Sequence, residues 1–137
     1  MNLLKISLSS LFISIAMIGT VLADTTAAIE SLLNNAKVHY ENERFEDAAF
    51  ALERALRIEP KHPVLWHNLA GIRLAQKDWV RAANLANKSN TIAIKRRNSK
   101  ELRIRNWVII TLACEGKEDH KCAREARKQA QSLVQSN

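Results

Sequence analysis

The chain has 137 residues, a length that fits a single domain. Apolar residues make up 47% and aromatics only 5%, with just 3 Gly and 2 Pro, which argues against a loop-rich or many-turned β protein and favours helices rich in Ala and Leu. The formal charge of +7 is compatible with anionic partners, but it is also ordinary solubility charge.

The first 23 residues read as a segment apart from the fold. Lys5 is the only charge before Asp24, and the run ISLSSLFISIAMIGTVLA lies between them. A short positive start, an apolar stretch and Val21-Leu22-Ala23 have the form of a signal peptide cleaved between Ala23 and Asp24. The alternative is an uncleaved membrane anchor, for which the stretch is short against the roughly 20 residues of a span and rich in serine. No Cys stands directly after the apolar run, which argues against lipid attachment. Cleavage leaves 114 residues and removes Lys5 alone, so the charge falls from +7 to +6. The implied localisation is exported, in the periplasm.

The remainder, residues 24–137, is expected to be one all-α domain, because apolar residues return every three to four positions and no segment alternates like a strand. The expected helices cover 25–41, 45–58, 63–76, 79–97, 99–115 and 119–135. Glu46 and Asp47 favour the positive end of the second helix. Pro60 and Pro63 close one helix pair and open the next. Ser99 is expected to cap the fifth helix.

The sequence repeats itself. A shift of 34 residues sets Leu32 on Trp66, Phe45 on Trp79, Ala48 on Ala82 and Ala55 on Ser89. A further shift of 41 sets Trp66 on Trp107, Leu69 on Ile110, Ala82 on Ala123 and Ser89 on Ala130, so seven residues are inserted before the third unit. Small residues let two helix backbones approach, and bulky ones fill the space beside them. One pair cannot bury its apolar face alone, so pairs stack.

FEDAAFALERALRIEPKHP and LWHNLAGIRLAQKDWVRAANLA carry this pattern most fully, and they resemble the tetratricopeptide repeat, with Trp66, Leu69, Ala70 and Ala82 on signature positions. The third unit departs from it at His120 and Arg127. The resemblance implies an α-solenoid of three antiparallel helix pairs, with units at about 29–62, 63–98 and 99–135. It also implies a non-enzymatic scaffold that binds a protein or peptide partner. The chain as a whole resembles short exported repeat proteins of Gram-negative bacteria, which points to cell-envelope assembly or maintenance.

In such solenoids the first helices of the pairs line a concave groove. Here the groove is expected to present Leu33, Lys37 and Tyr40 from unit one, and Val64, His67, Asn68, Gly71 and Leu74 from unit two. Unit three adds Arg105, Val108 and Leu112. A mainly apolar surface with a few polar anchors suits a peptide. The alternative is a groove too shallow to bind. Some family members clamp a C-terminal carboxylate, using positions that match Leu33, Lys37, Asn68, Arg105 and Ile109. Only Asn68 and, loosely, Arg105 fit, so the clamp is not carried over.

Cys114 and Cys122 are the only cysteines, and an exported chain meets an oxidising compartment, so a disulfide is expected. The alternatives are two buried thiols, or a metal site with His120 that lacks a fourth ligand. The basic stretch Lys95, Arg96, Arg97, Lys100, Arg103 and Arg105 is either a solvated turn or a docking surface for anionic membrane lipid or cell-wall polymer. Nucleic acid fits poorly with export and with a stretch lacking interleaved aromatics. No catalytic motif, phosphate loop or cofactor signature is present. Oligomeric state is not legible.

Overall fold

The computed structural model describes residues 24–136, so the leader reading of residues 1–23, including Ala23, lies outside the described residues. Six helices and no strand occur among the described residues. They are α1 (24–41), α2 (Phe45–Ile58), α3 (Pro63–Ala75), α4 (Trp79–Ala93), α5 (Lys100–Gly116) and α6 (His120–Gln135). Consecutive helices pack as an α-solenoid of three pairs, and α5 also reaches back to α3.

Three turns of one design make the pairs. Glu43, Lys77 and Glu118 all take the left-handed conformation, with φ of 58°, 60° and 60°. After each, a backbone N–H reaches back five residues at 2.9 Å: Arg44 to His39, Asp78 to Arg73 and Asp119 to Cys114. The left-handed residue itself bonds three residues back, to Tyr40, Leu74 and Glu115. This double closure is the Schellman end of a helix, where Gly is usual. The next residue then starts the following helix. Asp78 accepts from the backbone N–H of Arg81 at 3.2 Å and Asp119 from that of Cys122 at 3.0 Å, so each carboxylate satisfies an orphan donor.

Two details correct the sequence expectation. The fourth helix stops at Ala93 rather than residue 97, because the chain turns through Ile94–Ser99 with Asn98 left-handed at φ 55°. Arg96 steadies this loop by donating to the carbonyl of Lys61 at 2.7 Å. Ser99 does occupy the N-cap position of α5, but its ψ of 0° is not the extended geometry of a side-chain cap, and its hydroxyl makes no capping bond. The seven inserted residues go into one more residue of α4, two more of loop and four more at the start of α5.

The core has two halves. Ile29, Leu32, Ala48, Leu52, Leu65 and Leu69 centre the first, between α1, α2 and α3. Ala70, Ala82, Ala86, Ile110, Ala113 and Ala123 centre the second, between α3, α4, α5 and α6. Leu85 packs against both. The repeated small residues Ala48, Ala55, Ala82, Ser89 and Ala123 are all buried. Ala130 is only half-buried, since among the described residues no further pair covers α6.

One strong tie escaped the repeat pattern. Arg73 is only 7% exposed and holds α3 to α2, reaching Glu46 at 3.3 Å and Glu53 at 3.2 Å. Gln76 accepts from Arg73 at 2.8 Å and donates to Glu46 at 2.7 Å, closing the cluster. The bond from Gln76 and the adjacent Arg73 guanidinium hold the Glu46 carboxyl below its ordinary range.

Candidate functional site

A groove lies between α1 and α3, with a cavity of about 450 Å³. Ala36, Leu52 and Ile72 give it an apolar floor, while Leu33, Asn34, Lys37 and Tyr40 face His67, Asn68 and Gly71 across it. The helical period explains the wall: positions three and four apart on α1 share one face. Tyr40 is braced at the end of the groove by Phe45, ring centroids 5.6 Å apart and planes at 60°. Lys37 has a weak exposed ion pair with Glu41 at 3.8 Å, so its ammonium remains free to meet a ligand. A Cβ on Gly71 has no heavy atom within 4 Å, so this wall position opens on empty space.

His67 is fixed from behind. The buried Asn106, 0% exposed, donates to Ser89 Oγ at 2.7 Å and to Asn90 Oδ1 at 3.0 Å. The Ser89 hydroxyl in turn donates to the carbonyl of Pro63 at 2.8 Å. Both amide protons of Asn106 are thereby committed, its Oδ1 faces His67, and His67 Nδ1–H donates to it at 2.7 Å. The imidazole is therefore the Nδ1–H tautomer, with Nε2 left as an acceptor. Burial pushes the pKa of His67 down, the Asn106 bond pushes it up, and the Arg105 charge again pushes it down; the net direction is downward.

Of the eleven residues expected to line the groove, Leu33, Lys37, Tyr40, His67, Asn68 and Gly71 meet at this cavity. Val64, Val108 and Leu112 are exposed beyond it. Leu74 packs against the second core cluster, and Arg105 pairs with Glu101 at 3.9 Å. Asn34 lines the groove, and Ser89, Asn90 and Asn106 support it, outside the sequence expectation. Asn106 had a signal: the 41-residue shift sets it on Leu65, where a buried apolar residue is expected.

Elsewhere, Cys114 and Cys122 come together where α5 ends and α6 begins, paired with Cα atoms 5.7 Å apart. Among the described residues no three His, Cys, Asp or Glu side chains converge as metal ligands. Arg96 of the basic stretch lies 3.8 Å from Glu59, and Lys100 donates to the carbonyl of Ser136. No helix among the described residues is long and apolar enough to cross a membrane.

A sequence model of the tetratricopeptide repeat matches residues 39–90. The globular C-terminal domain of P. aeruginosa LpoP is similar in structure, with a TM-score of 0.71 and 32% identity over 75% of this chain and 94% of that one. The N-terminal domain of stress-induced protein-1 from C. elegans superposes with a TM-score of 0.74 at 18% identity, covering 80% of this chain and 85% of that one. The first repeat domain of Spaghetti, bound to an HSP90 peptide, gives 0.69 at 14% identity over 81% and 82%. No curated protein sequence matches the chain. The three helix pairs, their repeated turns and these likenesses define a helical-repeat α-solenoid. The chain belongs to the tetratricopeptide repeat family.

Proposed function

We propose that this chain is an exported, non-enzymatic adapter whose groove between α1 and α3 receives a segment of a protein or peptide partner in cell-envelope assembly or maintenance. The observation that carries the reading is the preformed cavity of about 450 Å³, apolar at its floor and bounded by Asn34, Lys37, His67 and Asn68. Few side chains need ordering on binding, since His67 is already held by Asn106. The peptide bound by the Spaghetti repeat domain supports groove binding as a mode open to this fold. The leader-like sequence of residues 1–23 supports export to the periplasm. In that compartment Cys114 and Cys122 form a disulfide.

The test uses a photo-crosslinker at Asn34 in cells, with and without Gly71→Tyr. A recurrent protein adduct that Gly71→Tyr abolishes supports the adapter. An adduct pattern indifferent to that block overturns it. Recovery of the mature chain beginning at Asp24 from the envelope fraction tests the export reading.

A second reading is docking on an anionic envelope surface through the basic stretch. Its support is the loop 94–99, where Lys95 and Arg97 are exposed and have no ion-pair partner among the described residues.

A further inference from the structure

Charge is unevenly spread along the solenoid. Residues 24–60 hold eight carboxylates against four Lys and Arg, whereas residues 61–137 hold six against sixteen. It is also uneven across it. Because helices alternate in direction, the start of α1, the loops 59–62 and 94–99, and the end of α6 share one edge. Two contacts tie this edge together: Arg96 to the carbonyl of Lys61, and Lys100 to that of Ser136. Its two loops carry four basic side chains and only Glu59 in opposition. The turns of the opposite edge, 42–44, 76–78 and 117–119, carry three basic and four acidic side chains.

The basic edge is also apolar at its tip. Ile94 is 61% exposed and Ile58 is 43% exposed. Arg96 is held between Glu59 and the Lys61 carbonyl, so it braces the loop while Lys61, Lys95 and Arg97 point their charge outward. A hydrated anionic polymer rewards the cations but not the isoleucines. A bilayer with acidic headgroups rewards both, because aliphatic side chains sink to the headgroup boundary while ammonium and guanidinium groups meet phosphate.

We infer that this edge docks on an anionic phospholipid bilayer, with Ile94 at the headgroup boundary and Lys61, Lys95 and Arg97 on lipid phosphates. The inference rests on the second reading above and narrows its occupant to lipid. It moves the contact from residues 95–105 as a whole to the loop edge, since Arg105 pairs with Glu101 and lies close to His67. The first helices run between the two edges, so a chain standing on this edge leaves the groove open beside the membrane.

The test is partitioning of the mature chain, residues 24–137, which holds all six helices and lacks the apolar leader, to phosphatidylcholine vesicles with and without phosphatidylglycerol, at low and high salt. Binding is expected to require phosphatidylglycerol and to fall with salt. Lys95→Gln with Arg97→Gln should lower the partition coefficient about 30-fold, at about 1 kcal/mol per basic residue. Ile94→Ser, which leaves the charge alone, should lower it about fivefold. Both sites are exposed, and unchanged circular dichroism verifies the fold. Equal binding to neutral vesicles, or no effect of either variant, overturns the proposal. If soluble polyglutamate binds in a Lys95- and Arg97-dependent way while vesicles do not, the bilayer is wrong and anion docking stands. If neither binds, both fail.

Discussion

Asn106 is the residue whose loss should weaken this fold most for its size. It is fully buried, and it holds three partners on two other helices: His67 of α3, and Ser89 and Asn90 of α4, from its own place on α5. Asn106→Ala removes all three bonds, each worth about 1 kcal/mol net. It also strands the buried amide of Asn90, whose Nδ2 already lacks a partner among the described residues. Ser89 loses less, since it keeps the Pro63 carbonyl. The expected cost is about 3 kcal/mol, read as a fall of roughly 10–15 °C in Tm by calorimetry or as a lower urea midpoint. Asn106→Leu is the control for volume, because Leu65 fills the corresponding place one repeat earlier. It should recover less than half of the loss. A Leu variant as stable as the parent would show that Asn106 is only core filling, and the fixed His67 tautomer would lose its basis.

The other expectations are smaller and independent. Lys77 is a left-handed non-glycine, so Lys77→Gly should stabilise by about 0.5–1 kcal/mol in urea titration, whereas the same change inside a helix, at Arg81, should destabilise. Reduction of the Cys114–Cys122 pair, which closes a loop of sequence separation 8, should cost about 2–3 kcal/mol and loosen α6 first in hydrogen exchange. His67 has a lowered folded pKa, so protonation favours the unfolded chain. Stability from His67 is present above the ordinary imidazole range and is lost as pH falls through that range. His67→Gln should flatten this part of the pH–stability curve, and an unchanged slope refutes the assignment.

The sequence carried the solenoid because its period is written in residue size. Ala48, Ala82 and Ala123 recur at the shifts that the left-handed turns at Glu43, Lys77 and Glu118 also obey. Those turns were not legible themselves, since none of the three has the glycine that usually marks such a helix end. Lys95, Arg96 and Arg97 are good helix formers, so sequence alone carries the fourth helix to residue 97; the loop ends it through Asn98 and the tertiary bond of Arg96 to Lys61. Half of the groove was legible from repeat register: α1 and α3 residues fall where the register places them. Its outer part was not, because register cannot tell that Leu74 turns into the second core cluster. The support behind His67 depends on Asn106, Ser89 and Asn90, residues from two helices that meet only in three dimensions.

Gly71 joins stability to function. It lies inside α3, where glycine costs about 1 kcal/mol relative to alanine. Its φ is not positive, and no neighbour forbids a side chain, since a Cβ there meets nothing within 4 Å. Gly116 differs: a Cβ there falls 2.6 Å from the Trp79 ring, so packing alone accounts for it. The empty space before Gly71 is the groove itself. Gly71→Ala should therefore raise the unfolding free energy by about 1 kcal/mol, and larger side chains should keep most of that gain while progressively closing the cavity. Partner capture that declines through Ala, Leu and Tyr as thermal stability holds identifies a glycine kept for binding. Capture that is indifferent to the series, with the same stability gain, leaves Gly71 without a functional reason and removes the groove from the adapter reading.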